Sequence, residues 1–273
     1  QSVAEKTADH SYKSAGYPIK GNVYWDLFQV GNQDYQNGNK EAIWCAESDY
    51  DVYKTDGKKV CLFYPGIYGP VFRDQGAAHI TGIREDVGGL GMCQVTPTTY
   101  ARDLVYQGKW ADDMRNSDAV LRRTVLGNVK TSAYYGKKIP WDVLYRVDAN
   151  GKWTDPAYTM LYPMSCKIAP DYYTIAADGG NLTCVFRDDY LIRLPETILL
   201  RAEAKLRIGD NDGAAKDINM LRSRAKCKYL VTPSDVSIDL ILDERARELI
   251  YEESRWNTLL RMGGTVAVDR IKK

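Results

Sequence analysis

Between Leu191 and Leu206 apolar residues recur at helical spacing: Leu191, Leu194, Ile198, Ala202 and Leu206 fall three or four apart. That spacing places them on one face of an amphipathic helix, and a helix with one apolar face must bury it against a neighbour. Pro195 stands early, where the first helical turn tolerates a residue without an N–H. Gly209 is expected to end the helix, and Asp210-Asn211-Asp212-Gly213 reads as a turn that caps the next one. The second helix turns Ala214, Ile218, Leu221 and Ala225 inward. After a break from Pro233 to Asp239, a third carries Leu242, Ala246, Leu249, Ile250, Trp256 and Leu260, closed by Gly263 and Gly264. Two helices joined by a four-residue polar turn, with alanines where they touch, form a hairpin of the helical-repeat kind, similar to tetratricopeptide packing. Such a piece needs neighbours to cover its other side.

The character of the chain changes near residue 186. Residues 1–185 form a loop-rich region in which Gly, Asn, Asp, Pro and Tyr are spread through short apolar segments, and residues 186–273 form the helical-repeat-like region, the two making one continuous domain. In the first region Tyr24 to Val30 and Glu41 to Ala46 are short apolar segments. Thr98 to Tyr106 predicts a helix after Pro97, and Asp148-Ala149-Asn150-Gly151 predicts a turn between two short strands.

Composition narrows the chemistry. The 37 basic and 36 acidic residues nearly cancel, so no broad cationic surface exists for nucleic acid. Tyr and Trp number 20 and 6 against 4 Phe. That bias suits half-wet surfaces, where a ring stacks and a polar tip meets water, and sugars need such surfaces. The six cysteines, Cys45, Cys61, Cys93, Cys166, Cys184 and Cys227, contain no CxxC pair, so zinc spacing is absent. Their even number permits three disulfides or six thiols, and spacing does not choose. With only His10 and His79, no metal or other cofactor is expected. No apolar run reaches the ~20 residues of a membrane span. The chain does not open on a signal-peptide pattern, and Gln1 is not an initiator Met, which reads as a piece of a longer protein.

Three long strings carry a family resemblance. Ile192-Arg193-Leu194-Pro195-Glu196-Thr197-Ile198-Leu199-Leu200-Arg201-Ala202-Glu203-Ala204 is followed by Ala214-Ala215-Lys216-Asp217-Ile218-Asn219 with Leu221-Arg222-Ser223-Arg224-Ala225. Then come Glu244-Arg245-Ala246-Arg247-Glu248-Leu249 and Glu253-Ser254-Arg255-Trp256-Asn257-Thr258-Leu259-Leu260-Arg261. Together they resemble the SusD/RagB family. Weaker echoes are Gly31-Asn32 before Glu41-Ala42-Ile43-Trp44, and Pro97-Thr98-Thr99-Tyr100 before Asp112-Asp113-Met114-Arg115. The resemblance implies a mainly α, SusD-like fold: tetratricopeptide-like hairpins on one side and a large loop-rich ligand face on the other. It implies a non-catalytic protein that captures oligosaccharides or polysaccharides on the outward surface of the outer membrane. It also implies a SusC-like TonB-dependent transporter as partner, and a lipid on an N-terminal Cys as the sole membrane attachment. That Cys, the family's N-terminal helical half and its C-terminal tail have no counterpart among these 273 residues. A peptide-capturing relative and a pure protein-interaction scaffold are the alternatives.

The candidate ligand contacts are aromatics in the loop-rich region. Tyr64, Tyr68 and Phe72 are spaced by four in a Gly- and Pro-containing stretch, with Arg73 and Arg84 as donors to sugar hydroxyls and Trp141, after Pro140, as a further platform. Trp44, Trp110 and Trp256 lie in family-like strings and are read as packing. Catalysis is not expected. Glu244 and Glu248, four apart on a helix surface, suit pairing with Arg rather than the facing carboxylates of a glycosidase. Glu196 and Arg201 read as ionic or hydrogen-bond links that fix helix order. Asp148-Ala149-Asn150-Gly151 and Asp210-Asn211-Asp212-Gly213 lack the bidentate Glu of a calcium loop, Thr159 and Leu221 standing there instead. Gly88-Gly89-Leu90-Gly91 has no following Lys-Ser/Thr and is not a phosphate loop. No G-x-S-x-G nucleophile motif occurs, and His79 reads as a loop residue.

Overall fold

The computed structural model describes residues 21–29, 31–47, 79–80, 95–145, 148–150, 152, 154, 162–168 and 188–272. In chain order the elements are helix α1 (Val23–Asp26), strand β1 (Ala42–Ala46), helix α2 (Thr99–Arg102), strand β2 (Leu121–Arg122), helix α3 (Trp141–Tyr145), and strands β3 (Met164–Ser165) and β4 (Asp189–Arg193). Helices α4 (Leu194–Arg207), α5 (Asn211–Arg224), α6 (Ile238–Leu249), α7 (Arg255–Met262) and α8 (Val266–Ile271) follow. The architecture is mainly α, with its regular helices after residue 190. Two compact units are defined, one of Gln1–Lys40, Cys45–Thr96 and Met114–Asp189, the other of Glu41–Trp44, Pro97–Asp113 and Tyr190–Lys273.

In the second unit the predicted hairpin is present. Gly209 takes φ 84°, a left-handed conformation that costs glycine no Cβ clash, and the chain reverses there. The Asp210 carboxylate accepts from the Gly213 N–H at 2.8 Å and caps α5. Ala202 and Ala214 are fully buried in a core shared with Ile198, Leu199, Ile218, Leu221, Leu240, Ile241 and Leu249. The Ser237 hydroxyl accepts from Leu240 N–H and starts α6.

Three expectations fail here. Leu191 belongs to β4, not to the helix, and is exposed. The third helix is two: α6 stops at Leu249, and Tyr251 takes φ 65° before α7 begins. That turn changes the phase of the apolar face, so Trp256 and Leu260 point outward while Leu259 and Met262 pack on Leu242. Trp44 and Trp256, read as packing, are 61% and 57% exposed. Trp110 alone of the three packs, with the Arg222 and Arg247 guanidinium groups 4.7 and 4.6 Å from its ring centre and its ring edge-on to Tyr229.

The charged strings build an ionic interior. Arg193, with a fully buried side chain, meets Glu41 at 2.9 Å, Glu248 at 3.0 Å and Glu252 at 2.6 Å. Arg224 bridges Glu41 and Glu248. Glu244 takes Arg222 at 3.1 Å and Arg247 at 2.8 Å. Glu244 and Glu248 therefore pair with arginines as expected, but inside the protein, not on a helix surface. Glu196 meets Arg245 at 3.4 Å, and Arg201 meets Asp217 at 2.7 Å, so both do link helices. Removing such charges from water is expensive, and the carboxylate that faces each guanidinium offsets that cost.

In the first unit α1 is a single turn capped by Asn22, whose side chain accepts from Tyr24 and Trp25 N–H. Beyond it, buried side-chain amides take over from the helix. Gln29 and Gln33 donate to the Trp25 and Gln29 carbonyls, and Asn32 and Asn39 to those of Asp26 and Asn32. The β2 strand pairs antiparallel with β3, Leu121 opposite Ser165. The Asp148 carboxylate accepts from Asn150 and Lys152 N–H, forming the predicted turn. The strands predicted beside it lie outside the described residues.

Candidate ligand-binding surface

A hairpin-like loop follows β2. Val125 and Ile139 are buried at its base, where Ile139 N–H donates to the Val125 carbonyl at 2.9 Å. Leu126 bridges Lys138, Gly127 N–H donates to Lys137, and Gly136 N–H donates back to Gly127. At the closed end tight turns run from Ser132 to Tyr135 and from Tyr134 to Lys137. Gly136 supplies the left-handed φ of 66° that lets the second turn close. The loop therefore presents its side chains from a hydrogen-bonded frame.

His79 braces this frame. Its backbone carbonyl accepts from Asn128 N–H at 3.0 Å, its Nδ1 lies 3.0 Å from the Ser132 hydroxyl, and its ring packs edge-on against Tyr134 at 5.1 Å. The Ser132 hydroxyl also accepts from Tyr134 N–H. A Ser–His contact invites comparison with a hydrolase, whose His needs an acid to orient it. Here the hydroxyl is held as a turn cap, and no carboxylate among the described residues is hydrogen-bonded to His79. At Gly127 a Cβ would come within 2.5 Å of the Tyr134 carbonyl oxygen, so the approach of the two strands requires glycine.

Two aromatic rings stand out from this frame. Tyr135 is 51% exposed at the loop tip. Trp141, the first residue of α3, is 38% exposed, while Leu144 of the same helix is fully buried and anchors it. Stiff aromatic side chains on a rigid frame lose little entropy on stacking against a ligand. Of the six contacts expected from sequence, Trp141 is thus placed at a surface. Tyr64, Tyr68, Phe72, Arg73 and Arg84 lie outside the described residues. Sequence does not single out Tyr135 or Ser132, and it reads His79 as a loop residue without the bracing role. The Tyr134-Tyr135-Gly136 string, an aromatic pair against a turn glycine, was the available signal. Among the described residues no group of His, Cys, Asp and Glu is arranged to hold a metal, and no helix is long and apolar enough to cross a membrane.

The sequence profile of the SusD family matches residues 4–272. No curated protein matches the chain. Among solved structures, B. fragilis NanU is similar at 20% identity and a TM-score of 0.50, over 90% of this chain and 48% of its own. A SusD superfamily protein from Bacteroides fragilis is 19% identical over 86% of this chain and 42% of its own, with a TM-score of 0.49. Surface glycan-binding protein A from Bacteroides thetaiotaomicron, in complex with laminarihexaose, is 18% identical over 92% and 48%, with a TM-score of 0.47. The chain spans less than half the length of each of these three.

Proposed function

Since the chain belongs to the SusD family, we propose that it is part of a cell-surface protein that captures oligosaccharides or polysaccharides for uptake, without catalysis. The observation that carries this reading is the exposure of Tyr135 and Trp141 on a frame locked by backbone hydrogen bonds. Rings supply affinity through the apolar C–H faces of sugars, and neighbouring polar groups supply selection. The expected partner is a SusC-like TonB-dependent transporter, and the expected place is the outward face of the outer membrane, through a lipid anchor. Tyr64, Tyr68, Phe72, Arg73 and Arg84 remain proposed contacts of the same ligand, and residues 1–185 the proposed ligand-face region beside the helical-repeat-like residues 186–273.

Affinity electrophoresis of the full-length, lipid-free protein through a panel of polysaccharides tests this. Retardation by at least one glycan, reduced about tenfold or more in Tyr135→Ala or Trp141→Ala, is the expected result. Absence of retardation by every glycan removes the reading in favour of peptide capture or a protein scaffold.

A further inference from the structure

The same loop has an unusual charge. The whole chain is balanced, yet from Ala119 to Trp141 it carries Arg122, Arg123, Lys130, Lys137 and Lys138 and no acid. Two of these cations are committed. Arg122 is buried, and Arg123 donates to the Asn116 side chain and carbonyl. Lys130, Lys137 and Lys138 are exposed, and none has an ion-pair partner among the described residues. By contrast Lys109, Lys205 and Lys228 each face a carboxylate. The first acid after the loop, Asp142, lies in the first turn of α3, where the N-terminal end of a helix favours negative charge.

The cations are interleaved with the exposed ring. Tyr135 and Lys137 are separated by Gly136, so their Cα atoms are at most about 7 Å apart. A sugar stacked on Tyr135 would bring an acidic substituent within reach of a lysine stem. An ammonium is a mobile, strongly hydrated point charge, suited to carboxylate or sulfate groups that stay partly in water. One such contact is weak, but a polymer with repeated charges engages several at once.

We infer that the ligand of this loop is an anionic glycan, with Tyr135 and Trp141 taking sugar rings and Lys130, Lys137 and Lys138 meeting its carboxylates or sulfates. The inference rests on the glycan-capture reading of the same loop and names its ligand class.

The test uses the full-length, lipid-free protein with matched polymers: polygalacturonate against its methyl ester for carboxylate, and dextran sulfate against dextran for sulfate. Poly-glutamate serves as a non-sugar polyanion. The expected result is that one charged glycan binds about tenfold or more tighter than its neutral match, that the preference fades between about 50 and about 300 mM salt, and that it is lost in the triple variant K130Q/K137Q/K138Q. Exposed Lys→Gln changes leave the fold intact, which circular dichroism checks. Equal binding of neutral and charged glycans, sensitive to Y135A but not to the triple variant, overturns the anionic class and keeps glycan capture. Binding of poly-glutamate as strong as that of the glycans, insensitive to Y135A, overturns the inference as mere polyanion attraction. No binding to any polymer overturns both readings.

Discussion

Arg193 and Glu41, 152 residues apart in sequence, meet at 2.9 Å in a site closed to water. Arg193 also holds Glu248 and Glu252, so one guanidinium serves three carboxylates. Replacement by a residue of similar volume without charge, Arg193→Met, leaves the buried Glu41 and Glu248 to share the one remaining guanidinium of Arg224, a site short of one positive charge. The expected loss is about 3–5 kcal/mol, read from urea unfolding at neutral pH. A loss below about 1 kcal/mol would mean that water reaches the network.

Acid should unfold the helical unit through its carboxylates. Burial raises the pKa of Glu203, but hydrogen bonds from Arg261 and Arg207 outweigh it and hold the group below its ordinary value. Asp217 is depressed in the same balance, by Arg201 and Lys205. A group whose folded pKa is depressed stabilises the fold above its unfolded pKa of about 4 and loses that contribution as pH falls through the folded value. Thermal stability is therefore expected to drop from about pH 5 downward. The pair Glu203→Gln and Asp217→Asn should be less stable at neutral pH and should show a shallower drop. An unchanged pH slope in the double variant would assign acid unfolding to other carboxylates.

Two glycines of the ligand loop make opposite demands. Gly127→Ala drives a methyl group into the Tyr134 carbonyl, whereas at Gly136 a Cβ meets nothing and only the positive φ opposes it. Gly136→Ala is expected to cost about 1–2 kcal/mol. Gly127→Ala should cost more and weaken glycan binding, because the loop frame must part. Melting temperatures and affinity electrophoresis of the two variants, run side by side, check the order.

Cys45 should be a slow thiol. Partial burial, then Asp188, Asp34, Asp189 and Glu47, push its pKa up to about 11, and it donates to the Gln33 carbonyl. Since the thiolate is the nucleophile, alkylation at pH 8 should run on the order of 100-fold slower than for an ordinary cysteine. Peptide mass spectrometry after timed iodoacetamide treatment reads the rate at this position, and modification as fast as in the urea-unfolded chain would refute the shielding.

How far the sequence could be read depended on the range of the forces at each position. Ile198, Ala202 and Ala214 announce their hairpin because helical periodicity is local and Gly209 marks the reversal within the same window. The split between α6 and α7 was not legible, since Tyr251 takes a left-handed φ that no residue type at that position signals. Glu244 and Glu248 read as surface charges because, Arg247 apart, their counter-ions Arg222, Arg193 and Arg224 lie outside their own helix. In the loop-rich part Trp141 could be named from its type alone. His79 could not, because its role comes from packing on Tyr134 and Ser132, some fifty residues on.

The place of Glu41 also bears on the order of events during synthesis. This carboxylate leaves the ribosome long before Arg193, Arg224 and the α6 glutamates that surround it in the finished protein. Until then it lacks these two guanidinium partners. The α4–α5 hairpin can close from neighbouring residues, but its charged edge stays incomplete until the early strand returns. Non-local closure of this kind slows folding, because the entropy of the long loop is lost before the contact is gained. The last ionic contacts of the helical unit thus join Arg193 to a segment made 152 residues before it.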